Sequence, residues 1–309
     1  MTISVLIPQY GRSELTLRAV DSLRQHHAGH SLEILVVDDG STASARRPLF
    51  ALDQSGRSRG REARLSLNET WDFHEPVRHR NDETALKSTA VRVLVSPRRR
   101  GVTAAWNLAA RQAQGDVLIF LNNDTVTTGN WCERMAMVLE NSSHRVVGPE
   151  WRRTSELERQ IGNCSRILAG WCLGMTRSTF QTLQGFDERF FLYFSDTDLQ
   201  FRACSLWPDG LDQSGRSRGR EAGLSLNETL NETSGFHEPV RHRNDETALM
   251  TVPTNSLRHL GHQTTRHWEG RHREWHLDQQ RFFKKWGPQA SSPAGEPIDG
   301  SDLFSADGM

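Results

Sequence analysis

Asn122, Asn123 and Asp124 follow without a break on five apolar residues, Val117 to Leu121, in the stretch GDVLIFLNNDT. One carboxylate and two amides are all oxygen donors, the ligand type that a hard divalent cation takes. The apolar run is too short for a membrane span and reads as a strand buried on both faces. In an open parallel sheet, ligands sit at the carboxyl ends of the strands, so the triplet stands where a metal and a diphosphate would be held. The competing reading is an Asx-rich turn that merely closes a strand. The surrounding elements decide between the two.

Upstream, Ile3 to Ile7 reads as a first buried strand ending in Pro8, Gln9 and Tyr10, and Ser13 to Gln25 as a helix with Leu17, Val20 and Leu23 on one face. A second strand, Leu32 to Val37, runs into Asp38, Asp39, Gly40 and Ser41, and a third spans Ala90 to Val95. The spacing of Val102, Ala105, Trp106, Ala109 and Ala113 predicts a helix over 102–114 that leads into the central strand. This β-α-β order implies a parallel sheet with right-handed crossovers, and it places Tyr10 and Asp39 on the same rim as Asp124. No GxGxxG follows the first strand, which argues against a nicotinamide or flavin dinucleotide. Downstream, the pattern predicts a helix over 131–139, strands over 145–148 and 251–259, and a helix over 268–286. On that last helix Trp275, Phe282, Phe283 and Trp286 read as core packing, with an acceptor platform or a membrane-surface contact as the alternative.

With 36% hydrophobic and 25% charged residues among 309, the composition is that of a soluble globular protein. A formal net charge of zero gives no global pull toward nucleic acid, and no nucleic-acid partner is expected. The opening MTISVLIPQYGR lacks the basic and long apolar regions of a secretion signal, which predicts a cytoplasmic chain. Cys132, Cys164, Cys172 and Cys204 are widely spaced with no CxxC pair, a distribution that suits reduced thiols.

Leu52 to Leu86 recurs almost verbatim as Leu211 to Leu249. Duplicated domains that diverge keep a hydrophobic period and lose identity; these copies keep identity and show no period. They read as flexible inserts of little apolar content. Enlarging a surface loop by about 35 residues costs only roughly 2 kcal/mol of closure entropy, which a host fold tolerates. The Pro-, Gly- and Ser-rich tail, 288–309, reads as disordered.

Outside the inserts and tail, the motifs SVLIPQYGR, EILVVDDGST, GVTAAWNLA, GDVLIFLNNDT, GFDERFFLYFSDTDLQFR, HLGHQTT and FFKKWG stand in order and roughly at the spacing found in family 2 glycosyltransferases. The chain resembles the bacterial rhamnosyltransferase-like members in particular. This resemblance implies an α/β, Rossmann-like glycosyltransferase A-type fold with a mostly parallel central sheet, and an acceptor-side strand over 168–176. It implies a single domain over 1–287, with a nucleotide-binding half over 1–125 and an acceptor-binding half over 126–287. The implied reaction is inverting transfer from a nucleoside-diphosphate sugar to a saccharide or lipid-linked acceptor, at the inner face of a membrane or in the cytoplasm. By position in the motifs, Pro8, Tyr10, Asp39 and Asn123 bind the nucleotide, Asp124 binds Mg²⁺ or Mn²⁺, His259 approaches the cation, and Asp196 is the general base. The motif's first carboxylate is Ser195 here, which leaves its orienting role unfilled. Asp198 and Arg202, at i and i+4, read as a helix salt bridge. A nucleotidylyltransferase lacks support, because no Gly-rich basic loop follows the first strand; a non-catalytic sugar-nucleotide-binding protein stays open.

Overall fold

The structure, a computed structural model, describes residues 2–26, 31–52, 90–153, 158, 166–207, 248–261, 263 and 268–287. The two inserts and the tail lie outside the described residues, apart from Leu52, Ala248 and Leu249.

Seven strands make the central sheet: β1 (Thr2–Gln9), β2 (Ser31–Asp39), β3 (Ala90–Ser96), β4 (Val117–Leu121), β6 (Val146–Gly148), β9 (Cys172–Thr176) and β10 (Leu249–Thr251), in the order β10-β6-β9-β4-β1-β2-β3. All pairings are parallel except those of β9, which runs antiparallel to both β4 and β6. The sheet is therefore mostly parallel, with one reversed strand between two parallel sets. Period-two alternation explains the two-sided core. Leu118 and Phe120 of β4 face the cluster that contains Trp106 and Phe186, whereas Val117, Ile119 and Leu121 face the cluster that contains Trp131 and Met135.

Helices α1 (Ser13–His26), α2 (Ala43–Arg46), α3 (Val102–Gln112), α4 (Trp131–Asn141), α5 (Arg177–Thr182), α6 (Ser195–Leu206) and α7 (Arg271–Trp286) flank the sheet. The expected strands and helices of the first half appear with ends moved by one or two residues, as caps and fraying allow. Two expectations fail. The strand expected over 168–176 is two strands, β8 (Ile167–Leu168) and β9, parted by a turn at Gly170 and Trp171. The strand expected over 251–259 is β10 and β11 (Leu257–His259), because Pro253 interrupts the ladder. Leu249 opens β10, so the sheet takes its edge from the last residue of the second repeat copy.

Two small ladders lie outside the main sheet: β11 with β5 (Thr125–Thr127), and β8 with β7 (Trp151–Arg152). Helices α6 and α7 are tied by Asp198, fully buried, which accepts from Arg202 Nε at 2.9 Å and Trp286 Nε1 at 2.8 Å and meets Lys285 Nζ at 2.5 Å. The expected i, i+4 bridge is thus one arm of a three-way anchor. The aromatic stripe of α7 packs as core, with Phe282 fully buried against Phe190, Phe194 and Phe201. Of the described cysteines, Cys132 and Cys172 are buried free thiols, whereas Cys204 is disulfide-bonded, contrary to the expectation of reduced thiols throughout. No helix among the described residues is long and apolar enough to cross a membrane.

Candidate active site

A cleft of about 570 Å³ opens at the carboxyl ends of β1, β2 and β4. Every residue singled out from the sequence, Pro8, Tyr10, Asp39, Asn123, Asp124, Asp196 and His259, lines it.

On one wall, β11 runs antiparallel to β5 with His259 opposite Thr125, and this register sets the imidazole beside Asp124. His259 Nε2 stands 3.2 Å from Asp124 Oδ1, while Asp124 Oδ2 accepts from the Gln263 N–H at 2.9 Å. Burial would raise the Asp124 carboxyl, but the hydrogen bond and charge of His259 and the Gln263 N–H outweigh it and hold the group below its ordinary value. The His259 ring stacks flat on Trp171, 5.0 Å between centroids, and Trp171 Nε1 donates to Glu150. Asn123 is buried, and its amide donates to Thr16 Oγ1 at 3.1 Å, so it ties the rim to α1.

Asp39 is buried at the end of β2, with its two oxygens accepting the N–H groups of Arg100 and Gly101, each at 2.7 Å. Burial pushes its carboxyl up to about 6, against those two bonds. The clasped loop comes so close that a Cβ on Gly40, at φ +76°, would lie 2.4 Å from the Arg99 nitrogen. The loop thereby seats Arg99 between Tyr10 and Trp268, its guanidinium carbon 3.9 Å and 4.0 Å from the two ring centres. Sequence reading missed Arg99, because three consecutive arginines give no sign of which one turns inward.

The opposite wall carries Asp196 in the first turn of α6. Phe194, just before the helix, adopts a left-handed conformation at φ 62°, a strained choice for a bulky residue that the surrounding packing must hold. Asp278 of α7 contributes to that hold. Fully buried, it accepts the N–H groups of Phe191 at 3.0 Å and of Leu192 and Tyr193 at 2.9 Å each. A legible signal for it existed: Asp278 lies three residues after Trp275 and four before Phe282, so it puts a carboxylate on the apolar face of the helix. Gly170 presses on Asp196 from the other side, where a Cβ would lie 2.1 Å from Asp196 Oδ2. Burial raises the Asp196 carboxyl above its ordinary value; the Arg152 guanidinium opposes the rise and the Glu158 carboxylate adds to it.

The model of the family described as "Glycosyl transferase family 2" matches residues 4–71 and 69–201. The chain belongs to glycosyl transferase family 2. An N-acetylglucosaminyl-diphospho-decaprenol L-rhamnosyltransferase of Mycobacterium tuberculosis is 35% identical over 77 residues, 21% of this chain and 24% of that protein. The O-antigen biosynthesis protein RfbC of Myxococcus xanthus is 26% identical over 235 residues, 65% of this chain and 16% of that one. This family 2 chain thus spans less than a quarter of the length of either relative. Among solved structures, mannosyltransferase PcManGT from Pyrobaculum calidifontis, in complex with GDP-Man and Mn²⁺, is 18% identical with a TM-score of 0.45, covering 70% of this chain and 53% of that one. The sheet is mostly parallel with a mixed extension beyond β4, as the resemblance to the glycosyltransferase A-type fold implied.

Asp278→Asn leaves one acceptor oxygen for three N–H groups. Charge-assisted bonds of this kind contribute about 1.5 to 3 kcal/mol each. Amide exchange at residues 191–193 should therefore speed up by roughly tenfold or more; unchanged protection would show that the carboxylate does not hold this loop.

Proposed function

We propose that the cleft transfers a sugar, with inversion, from a nucleoside-diphosphate sugar to a hydroxyl of a glycan or lipid-linked saccharide. The observation that carries this reading is that a single cleft joins the Asp124–His259 pair on one wall to a half-buried, pKa-raised carboxylate, Asp196, on the other. Residues 1–125 serve as the donor half, with Pro8, Tyr10, Asp39 and Asn123 toward the nucleotide, and residues 126–287 as the acceptor half. The relative named for rhamnosyl transfer to a diphospho-decaprenol-linked saccharide supports a lipid-linked acceptor, and with it peripheral contact with the inner face of a membrane.

In the reaction the acceptor oxygen bonds to the anomeric carbon as the bond from that carbon to the diphosphate oxygen breaks. The hydroxyl proton passes to an Asp196 oxygen, and the electron pair of the broken bond leaves with the diphosphate. A raised pKa suits this task, since a base works best when its proton affinity approaches the operating pH. Asp124 and His259 offer one oxygen and one nitrogen donor in contact, which fits a divalent cation held partly by the substrate. Among the described residues no three His, Cys, Asp or Glu side chains converge as a metal cage, so further ligands would come from phosphate oxygens and water. Mg²⁺ or Mn²⁺ bound there would neutralise charge on the leaving diphosphate as a Lewis acid.

Two substitutions test the reading. Asp124→Ala should abolish Mn²⁺-dependent binding of nucleoside diphosphate in calorimetry while the circular dichroism spectrum stays unchanged; undiminished affinity would remove Asp124 from the cation site. Asp196→Asn keeps shape but cannot take a proton, so turnover should fall roughly 10²- to 10⁴-fold with donor affinity nearly unchanged. The ionised form of Asp196 is lost as pH falls, so the wild-type acid limb of kcat should lie above the usual carboxylate range. Asp39, pushed up to about 6, should show instead in the pH dependence of donor affinity. Near-normal turnover in Asp196→Asn would overturn the assignment, and Asp198→Asn should mainly lower the denaturation midpoint.

A further inference from the structure

Beside Asp196, a second group of charges lines the cleft and has no part in the proton transfer as described. Arg152 of β7 donates to both oxygens of Glu158, from NH2 to Oε1 at 2.7 Å and from NH1 to Oε2 at 3.1 Å. The same NH2 donates to Thr197 Oγ1 at 3.0 Å, and the Thr197 hydroxyl donates to Glu158 Oε1 at 3.2 Å. Thr197 is the residue after Asp196, so this triangle fastens the first turn of the helix that carries the base. A second tie runs parallel to it: Gln200 accepts from the Leu168 N–H at 2.6 Å and donates to the Leu168 carbonyl at 3.1 Å. Arg152 and Leu168 belong to the same β7–β8 hairpin, so two independent ties hold α6 to one ribbon.

The placement of Glu158 is costly unless it serves a purpose. Its side chain is 3% exposed, and a carboxylate so far from water is tolerated only when paired and hydrogen-bonded, as this one is. A pair that served only as a clasp would not need to stand in the wall of the cleft, yet Arg152, Glu158 and Asp196 all line it. Ser195 carries no charge, so the charges around Asp196 come from elsewhere in the chain. We propose that Arg152 and Glu158 are positioning residues for the base, a hydrogen-bonded charge pair that fixes the helix turn carrying Asp196 and sets the charge beside its carboxylate. The proposal rests on Asp196 being the base.

The two members act in opposite senses. The guanidinium favours the ionised carboxylate that waits for the hydroxyl, and the Glu158 carboxylate favours the protonated form that the reaction produces. Among the described residues, the charged groups whose fields act on Asp196 are these two, Arg152 of β7 and Glu158. On its own helix Asp198 is engaged with Arg202 and Lys285, and Arg166, just before β8, lies over the Trp151 ring.

The test is the pH profile of kcat in Glu158→Gln and Arg152→Met, with a nucleoside-diphosphate sugar that the wild type turns over. Glu158→Gln should move the acid limb to lower pH and Arg152→Met to higher pH, each by about one unit. Arg152→Lys, which keeps the charge, should leave the limb near its wild-type place, and donor KM should change little in all three. A clasp with no electrostatic role would lower stability in both variants without moving the limb in opposite directions. Unmoved limbs, or shifts of the same sign, in folded variants would overturn the proposal, and if one variant does not fold, the sign of the other's shift decides alone. Asp196→Asn run alongside separates the two readings: its near-normal turnover defeats the base itself, whereas its inactivity with unmoved limbs defeats only the pair.

Discussion

Three backbone N–H groups, those of Phe191, Leu192 and Tyr193, converge on one buried carboxylate, Asp278, and the wall of the cleft that carries Asp196 depends on that convergence. A loop of aromatic residues has no ladder of its own, and its N–H groups would be costly to leave unpaired beside a cleft. Asp278 satisfies them at once and ties the loop to α7. The tie holds the chain so that Phe194 can take its left-handed turn and α6 can begin where it presents Asp196. A buried carboxylate plays the same part on the opposite wall, where Asp39 gathers the N–H groups of Arg100 and Gly101 and so seats Arg99 against Tyr10. The rims of this sheet are shaped by acidic side chains that accept backbone hydrogen bonds, on a platform set by the alternating apolar residues of β1, β2 and β4.

The reversed strand β9 explains how the two walls meet. It lies between two parallel sets, antiparallel to β4 on one side and β6 on the other, and sets Gly170 and Trp171 at the turn before it. That turn serves both sides: Trp171 stacks on His259 near Asp124, and Gly170 leaves room for the Asp196 carboxylate. A side chain at position 170 would occupy the place of the Asp196 carboxylate. The two walls are therefore linked through two adjacent residues of one turn.

Much of this was legible in the sequence, because the first half is built from strands long enough to show an unbroken apolar run and helices long enough to show a 3.6-residue period. The end of β4 and the position of Asp124 follow directly from that pattern. The division of 168–176 and of 251–259 into separate strands was not legible, since ladders of two or three residues are too short to display a period and are defined by partners far away in the chain. Arg99, Gly170, Arg152 and Glu158 matter through contacts that spacing does not encode. Asp278 is the intermediate case: a carboxylate on the apolar face of a helix announces a buried partner, but only the fold shows that the partner is the loop before the base.

Membership of glycosyl transferase family 2 gives the class and the cleft the arrangement, and the proposed role of Asp196 requires one base and one displacement at the anomeric carbon. NMR on purified protein supplied with a nucleoside-diphosphate sugar and water or a simple acceptor, with the anomeric proton of the first product read before mutarotation, checks this stereochemistry. A single displacement gives a product of inverted configuration relative to the donor. Retained configuration would require a second displacement or a different geometry, and would contradict the role given to Asp196.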